Sequence, residues 1–227
     1  MTLPQFAGSA DAALDAAVQA ENCGLDGVFA FDHLWPMGQR GRPALSALPL
    51  LGAVAAVTRR IMVGTLVARV GLLPDPVLLG ELAALGRIAP GRVIAGLGVG
   101  DSKSAGENLA CGIPIAPISE RMASLAACAI ALRAVGTEVW LGGGSAPVQE
   151  AARTAGVAVN LWGAEPGRVS GVAATGLEVS WGGPMPGPVE SRLRWATSLA
   201  RAGASWLVWG WPESPETVAE VREEVTG

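Results

Sequence analysis

The sequence of 227 residues predicts an α/β fold, a compact (β/α)₈ TIM barrel with short loops, in a single domain over residues 1–227. Short apolar segments alternate with helical segments eight times along the chain, and this alternation is typical of a parallel sheet. The strand segments are continuous apolar runs, as expected when helices cover both faces of the sheet. No linker-like segment divides the chain, which favours a closed barrel over the alternative, an open doubly wound sheet.

Each predicted strand is a short run rich in Val, Ile, Leu or Trp, bounded by residues that favour turns. In chain order, the predicted strands cover residues 2–6, 28–31, 61–67, 92–97, 138–141, 157–161, 177–180 and 205–209. We read the first of these as a short strand or as the end of a longer one.

The predicted helices are bounded by capping residues and by glycine. Ser9, Asp75, Ser145 and Ser214 can accept hydrogen bonds from the first N–H groups of a helix, and proline follows the last three within two residues. A glycine ends most of the helical segments. The predicted helices cover residues 9–24, 45–57, 75–86, 119–136, 145–156, 165–172, 189–202 and 214–225.

The composition limits the classes of protein that fit. Half of the residues are hydrophobic and 16% are charged, which suffices for a large core and excludes a disordered chain. The formal net charge of −4 argues against nucleic-acid binding. The three cysteines, Cys23, Cys111 and Cys128, form no CxxC pair, so we expect no disulfide framework and a cytoplasmic location. Since the chain has one histidine, we expect no metal site built from protein ligands.

The N-terminal residues lack the basic region and apolar run of a signal peptide. The longest apolar stretch, residues 44–57, is too short to span a bilayer and contains Pro49. We therefore expect no association with a membrane.

The second predicted strand ends in the polar residues Asp32 and His33, and His33 is the only histidine. The loops that follow the strands of such a barrel form its carboxyl-terminal rim, where catalytic residues lie. Histidine is the side chain whose ordinary pKa is closest to neutrality. Asp32 and His33 are therefore candidate catalytic residues; alternatively, Asp32 caps the next turn and His33 is an ordinary polar residue.

Three successive glycines, Gly142, Gly143 and Gly144, follow the fifth predicted strand and precede a helix at Ser145. Exposed backbone N–H groups at a helix N-terminus favour an anion, and the position on the barrel favours a phosphate. The alternative is a tight turn that needs glycine for its backbone angles.

Glycines and tryptophans occupy other parts of the predicted rim. Gly98 and Gly100 follow the fourth predicted strand, and we expect them to let a ring system approach the backbone closely. Asp101 and Glu107 are candidates for a carboxylate pair, although their spacing alone does not show it. Five tryptophans provide walls for a flat ligand, or else cover the barrel mouth or a subunit contact: Trp35, Trp162, Trp181, Trp209 and Trp211.

Taken together, these segments resemble the bacterial-luciferase-like monooxygenases and the flavin- or deazaflavin-dependent oxidoreductases. The matching order of residues extends over nearly the whole chain, and the motifs are specific in combination although each alone is weak. The matching segments are residues 17–34, 50–67, 76–100, 107–121 and 139–152.

The resemblance implies a TIM barrel that binds FMN or the deazaflavin coenzyme F-420, with F-420 preferred because of the Asp-His-Leu-Trp form of residues 32–35. It implies that Asp32 and His33 lie beside the ring and that the glycine turn binds the phosphate. It further implies that a bulge, often with a non-proline cis peptide bond, backs the ring at the end of the third strand. The implied cofactor-binding residues are Thr65, Leu66, Val67, Gly98, Gly100, Gly142, Gly143, Gly144, Ser145 and Trp35.

The activity that this resemblance implies is hydride transfer to or from a small organic substrate, in which His33 binds or shuttles a proton and Asp32 orients it. Some deazaflavin dehydrogenases carry a glutamate proton donor soon after the fourth strand, where this sequence has residues 101–103, Asp-Ser-Lys. The alternatives are an FMN-dependent monooxygenase with a flavin reductase partner and a flavin-binding barrel without catalysis. The apolar helices predict a homodimer.

Overall fold

The computed structural model describes residues 1–101 and 104–226. Seven parallel strands form one sheet in which each strand pairs with the next along the chain. The strands are β1 Gly27–Ala30, β2 Met62–Arg69, β3 Val93–Gly98, β4 Glu138–Gly142, β5 Ala158–Trp162, β6 Val179–Gly183 and β7 Ala204–Trp209. The predicted α/β class, its parallel sheet and its barrel are confirmed.

Helices follow the strands and cover the outside of the sheet. Within the described residues they are α1 Asp11–Asn22, α2 Ala47–Val57, α3 Asp75–Ile88, α4 Ala105–Ala110, α5 Ile118–Ala134, α6 Ala146–Ala155, α7 Pro166–Ala173, α8 Val189–Arg201 and α9 Pro215–Thr226. The short helix α4 was not predicted. It follows Ser102 and Lys103, which lie outside the described residues.

The N-terminal segment closes the gap between β7 and β1. Thr2 donates its backbone N–H to Trp209 O of β7 (2.8 Å), while Leu3 donates to Phe29 O of β1 (2.8 Å). Phe29 in turn donates to Met1 O (2.9 Å). Residues 1–3 therefore complete a nearly closed barrel by bonding to both of its edges.

The prediction of an eighth strand over residues 2–6 is wrong in extent, because a single bridge, Thr2 to Phe29, is all that forms. Pro4 has no N–H group with which to continue a ladder. The side-chain amide of Gln5 instead forms the next hydrogen bonds, to the backbone of Phe31. Its Nε2 donates to Phe31 O (2.7 Å), and its Oε1 accepts the N–H of Phe31.

Aromatic side chains fill the barrel interior below the rim. Phe29 stacks on Trp140 with ring centroids 5.2 Å apart, and Trp140 meets Trp206 edge to face at 5.3 Å. Leu66, Ile94, Ala158 and Val208 complete this buried cluster. The interior is thus a packed core, which leaves the carboxyl-terminal rim as the place for a ligand.

Three free cysteines lie in the described part of the chain, Cys23, Cys111 and Cys128. Among the helices of that part, none is both long and apolar enough to cross a bilayer.

Candidate active site

A cavity of about 520 Å³ opens at the carboxyl-terminal rim of the barrel. This volume lies within the usual range for small-molecule sites. Its walls are mostly apolar and aromatic, and its polar lining side chains come from strands, from the loops that follow them and from α7. The apolar side chains include Phe6, Phe31, Met37, Leu66, Val67 and Trp162, and the polar ones are His33, Arg69, Asp101, Ser104, Asn160 and Arg168.

One wall is a bulge in β2. The register against β3 shifts between Thr65 and Ala68, and the Leu66–Val67 peptide bond is cis, as the resemblance implied. Leu66 and Val67 line the cavity, whereas Thr65 is fully buried and donates its Oγ1 hydroxyl to Gly96 O (2.7 Å). The bulge therefore places Leu66 and Val67, two of the three residues expected there to bind the cofactor, at the cavity wall.

The side chain of Val67 explains two of the glycines at the rim. A Cβ atom added at Gly98 would lie 2.4 Å from Val67 Cγ2, and one added at Gly142 would lie 2.8 Å from Val67 Cγ1. Real Cβ atoms do not approach so closely, so both positions need glycine to accommodate the bulge. Gly98 and Gly142 also line the cavity.

His33 lines the cavity, and its Nδ1 lies 2.8 Å from Glu107 Oε1. The imidazole side chain is 21% exposed and the Glu107 side chain is 2% exposed. We expected Asp32 to orient His33, but the structure gives that position to Glu107, 74 residues further along the chain.

Arg69 connects the ends of β1 and β2 to α4. Its guanidinium donates from Nη2 to Glu107 Oε2 (2.9 Å) and from Nη1 to Asn108 Oδ1 (3.2 Å). Its backbone N–H donates to Asp32 Oδ2 (2.8 Å). Burial raises the pKa of the Asp32 carboxyl above its ordinary value, although the hydrogen bond and the charge of Arg69 oppose this effect. Asp32 is not among the residues that line the cavity.

The glycine turn forms part of the cavity wall. Gly142, Gly143 and Gly144 all line it, and the N–H of Gly143 already donates to Asn160 O (2.9 Å). The turn leads into α6, whose N-cap is Ser145. Ser145 is exposed and is not among the cavity residues.

A cation accompanies this turn, because Arg168 of α7 lines the cavity and donates from Nη2 to Gly144 O. A Cβ at Gly144 would lie 2.9 Å from Leu161 Cδ2 and 3.3 Å from Arg168 Nη2, so glycine keeps this concave corner open. A guanidinium beside the N-terminus of a helix suits a phosphate.

The remaining rim residues differ in whether they line the cavity. Gly100 lines the cavity in a left-handed conformation (φ 69°). Asp101 accepts hydrogen bonds from Ser104 N (2.9 Å) and Ser104 Oγ (3.1 Å), so it is bonded to the N-cap residue of α4. Of the five tryptophans, Trp162 is the one among the cavity residues. Trp181 and Trp209 are buried, Trp35 is half-buried and Trp211 is exposed.

The sequence did not show the contacts of Glu107, which it offered only as a candidate partner of Asp101, nor any role for Arg69 and Arg168. Arg69 lies two residues beyond the predicted third strand, so its place at the rim was available from the sequence. Glu107 and Arg168 lie on helices whose contacts depend on the tertiary packing. Among the described residues, no group of three or more His, Cys, Asp or Glu side chains is placed to hold a metal ion.

Comparisons with known proteins agree with this architecture. The family model described as luciferase-like monooxygenase matches residues 2–135. An F-420-dependent glucose-6-phosphate dehydrogenase of Beutenbergia cavernae is 46% identical over 86 residues, which is 37% of this chain and 26% of that protein. A protein of the same name from Intrasporangium calvum is 32% identical over 126 residues, 55% of this chain and 38% of that protein. These matches thus span about a quarter to two fifths of the relatives' length.

Two solved structures show the likeness of the fold. An F-420-dependent secondary alcohol dehydrogenase in complex with an F-420–acetone adduct superposes with a TM-score of 0.78 at 13% identity, covering 98% of this chain and 97% of that one. The oxygenating constituent of 3,6-diketocamphane monooxygenase from Pseudomonas putida, in complex with FMN, superposes with a TM-score of 0.69 at 12% identity, covering 91% and 90%.

Proposed function

This chain belongs to the luciferase-like monooxygenase family, and from that premise we propose that it is an oxidoreductase that transfers hydride between coenzyme F-420 and a small organic substrate. One observation carries the proposal: His33 and the glycine turn with Arg168 line the same cavity. The names of the curated relatives, which are F-420-dependent, favour F-420 over FMN.

The residues present fit such a cofactor. Leu66, Val67 and Trp162 offer apolar and aromatic surface to a conjugated ring, and Arg168, beside the glycine turn and the N-terminus of α6, offers a positive charge to a phosphate. When bound, the deazaflavin supplies a carbon that accepts or donates hydride. The chain's own residues bind the ring, exclude water from it and hold a proton at His33.

Binding and kinetics test this proposal together. We expect the desalted protein to bind F-420 in an absorbance and fluorescence titration. Arg168→Ala should weaken that binding by about tenfold or more, because a charge-assisted hydrogen bond contributes about 1.5–3 kcal/mol. His33→Ala should lower kcat on a panel of small alcohols by about 10²–10⁴-fold, a larger factor than its effect on cofactor affinity.

Arg153→Ala is the matched control for Arg168→Ala, because Arg153 is an exposed arginine of α6 that pairs with Glu150 outside the cavity residues. It should leave the affinity unchanged. A protein that binds neither F-420 nor FMN would refute the proposal.

The second candidate function is an FMN-dependent monooxygenase, which the description of the matching family favours. Such an enzyme needs oxygen and a flavin reductase partner. Preferential binding of FMN in the same titration, with the yellow absorbance of an oxidised flavin, would select this alternative.

We further propose a homodimer in the cytoplasm. The free cysteines support a reducing compartment. The dimer rests on the outer face of α2, which carries no charged residue and leaves Val57 47% exposed.

A further inference from the structure

Glu107 is a buried carboxylate with an unusual set of partners. It lies on the short helix α4 and is 1% exposed. Its Oε2 accepts two hydrogen bonds, from Leu34 N (2.9 Å) and from Arg69 Nη2 (2.9 Å). Its Oε1 lies 2.8 Å from His33 Nδ1. Burial of a carboxylate is costly unless donors compensate for it, and here the donors are a backbone N–H and a guanidinium.

This arrangement determines which nitrogen of His33 carries the proton. An ionised carboxylate can only accept hydrogen bonds, so Nδ1 must be the donor to Glu107. In the neutral imidazole, Nε2 then has no proton and is an acceptor. Since Nδ1 faces the buried carboxylate, Nε2 is the nitrogen available to the cavity that His33 lines.

We propose that Glu107 is a positioning residue that holds His33 in the Nδ1–H tautomer, so that Nε2 accepts a hydrogen bond from a hydroxyl of the substrate. The inference rests on the proposed function and narrows its substrate class to compounds that present an O–H group to His33. Glu107 touches neither the substrate nor the cofactor and acts through the imidazole.

Arg69 is the second positioning residue of this arrangement. It is 6% exposed, and it holds Glu107 in place from the end of β2 while His33 and Leu34 contact the same carboxylate from the end of β1. The carboxylate therefore ties His33 to the strand that carries the bulge. A shift of α4 would move the imidazole relative to the wall of the cavity.

The isosteric variant Glu107→Gln gives a directional prediction. The amide oxygen of Gln should occupy the Oε2 position, because two donors, Leu34 N and Arg69 Nη2, meet there. The amide NH₂ then faces Nδ1 of His33, which must become an acceptor. The proton moves to Nε2, and the nitrogen at the cavity changes from an acceptor to a donor.

Nuclear magnetic resonance tests this inference on the full chain without cofactor. The protein has one histidine, so a long-range ¹H–¹⁵N correlation spectrum reports on His33 without ambiguity. At pH 8 we expect the ring proton on Nδ1 in the wild type and on Nε2 in Glu107→Gln. Glu21→Gln is the matched control, because its carboxylate also accepts N–H bonds, from Arg59, Arg60 and Ile61, at the opposite end of the barrel. It should give the wild-type spectrum.

A wild-type ring with its proton on Nε2, or with protons on both nitrogens at pH 8, would overturn the inference. So would a folded Glu107→Gln that keeps the Nδ1–H tautomer. Should Glu107→Gln fail to fold, the wild-type spectrum alone decides. The tautomer is measured without cofactor, so its outcome is independent of whether F-420 or FMN binds.

Kinetics provide the functional readout. Glu107→Gln should lower kcat on alcohol substrates by about 10²-fold or more. Where the carboxylate that orients a catalytic histidine is replaced by an amide, kcat falls by about 10⁴-fold because the imidazole adopts the wrong tautomer. The Kd for the cofactor should change by less than about threefold, because Glu107 does not line the cavity. A purely structural role would instead weaken cofactor binding and turnover together.

Discussion

At the scale of single residues, Asp32 and His33 are neighbours in the chain with different surroundings. His33 lines the cavity, whereas the Asp32 carboxylate turns to the backbone N–H of Arg69, 2.8 Å away. Burial raises the pKa of Asp32 above its ordinary value of 3.8. The charge on Asp32 therefore opposes folding at neutral pH, and its hydrogen bond to β2 accounts for its position.

Asp32→Asn should stabilise the protein at pH 7, because Asn keeps an acceptor for Arg69 N–H and removes a desolvated charge. A carboxyl whose pKa is raised by folding binds more protons in the folded state just above pH 3.8, so the wild type loses stability as the pH rises through that range. Urea unfolding should therefore show a gain at pH 7 that shrinks towards pH 4.

The exposed Asp15 of α1 supplies the control, and Asp15→Asn should show no such pH-dependent gain. A lower free energy of unfolding for Asp32→Asn at pH 7 would contradict the prediction. It would mean that the attraction between Asp32 and Arg69 outweighs the desolvation.

The order of strand ends was enough to place His33 and the glycine turn at one rim, because parallel strands all deliver their carboxyl ends there, whereas the bulge was implied by the family resemblance. It was not enough to show that Glu107 contacts His33. Glu107 contacts His33 from α4, a helix of six residues. Its N-cap residue makes no side-chain cap hydrogen bond, and the helix is too short for an apolar period that would predict it. The other partners of Glu107, Arg69 and Leu34, lie 38 and 73 residues away.

At the scale of secondary structure elements, α2 differs from its neighbours in having no charged residue. Its inner side chains, Leu50, Leu51 and Val54, are buried in the core. Its outward side chains are apolar as well, and Ala53, Ala56 and Val57 are exposed. A helix that is apolar on all sides usually has its outer face covered by another protein surface.

The proposed homodimer predicts that Ala53→Arg, in the middle of this outer face, shifts the molecule from dimer to monomer. Each copy of a symmetric dimer would place its arginine against the other, so that two like charges are desolvated. Sedimentation equilibrium measures the mass. Ala127→Arg, at an exposed position of α5, is the control and should leave the mass unchanged. A wild type that is monomeric at micromolar concentration would refute the dimer.

At the scale of the whole molecule, one sheet extends from Gly27 to Trp209, which supports our proposal that residues 1–227 form a single domain. Its closure depends on residues 1–3. The alternation of elements predicted the barrel correctly, but it could not show that Pro4 and Gln5 end the pairing of the first segment. That outcome depends on the Gln5 side chain, which reaches the backbone of Phe31, 26 residues away.

The closure also buries an ionisable group, the α-amino group of Met1, which donates to Gly27 O (2.7 Å). Desolvation lowers its pKa from 8.0 to about 5. The folded state thus binds fewer protons than the unfolded state between these values, so stability is fully present above pH 8 and is lost as the pH falls towards 5. The loss is on the order of 4 kcal/mol for this shift.

N-terminal acetylation isolates this effect, because it keeps an N–H donor for Gly27 O and removes the ionisable amine. Met1 lines a second cavity of about 280 Å³ beside Trp206 and Val218. Once mass spectrometry shows that Met1 is retained, urea unfolding from pH 8 to pH 5 should destabilise the free amine more than the acetylated form. Parallel curves for the two forms would mean that the amine reaches water, and hence that residues 1–3 do not close the barrel in solution.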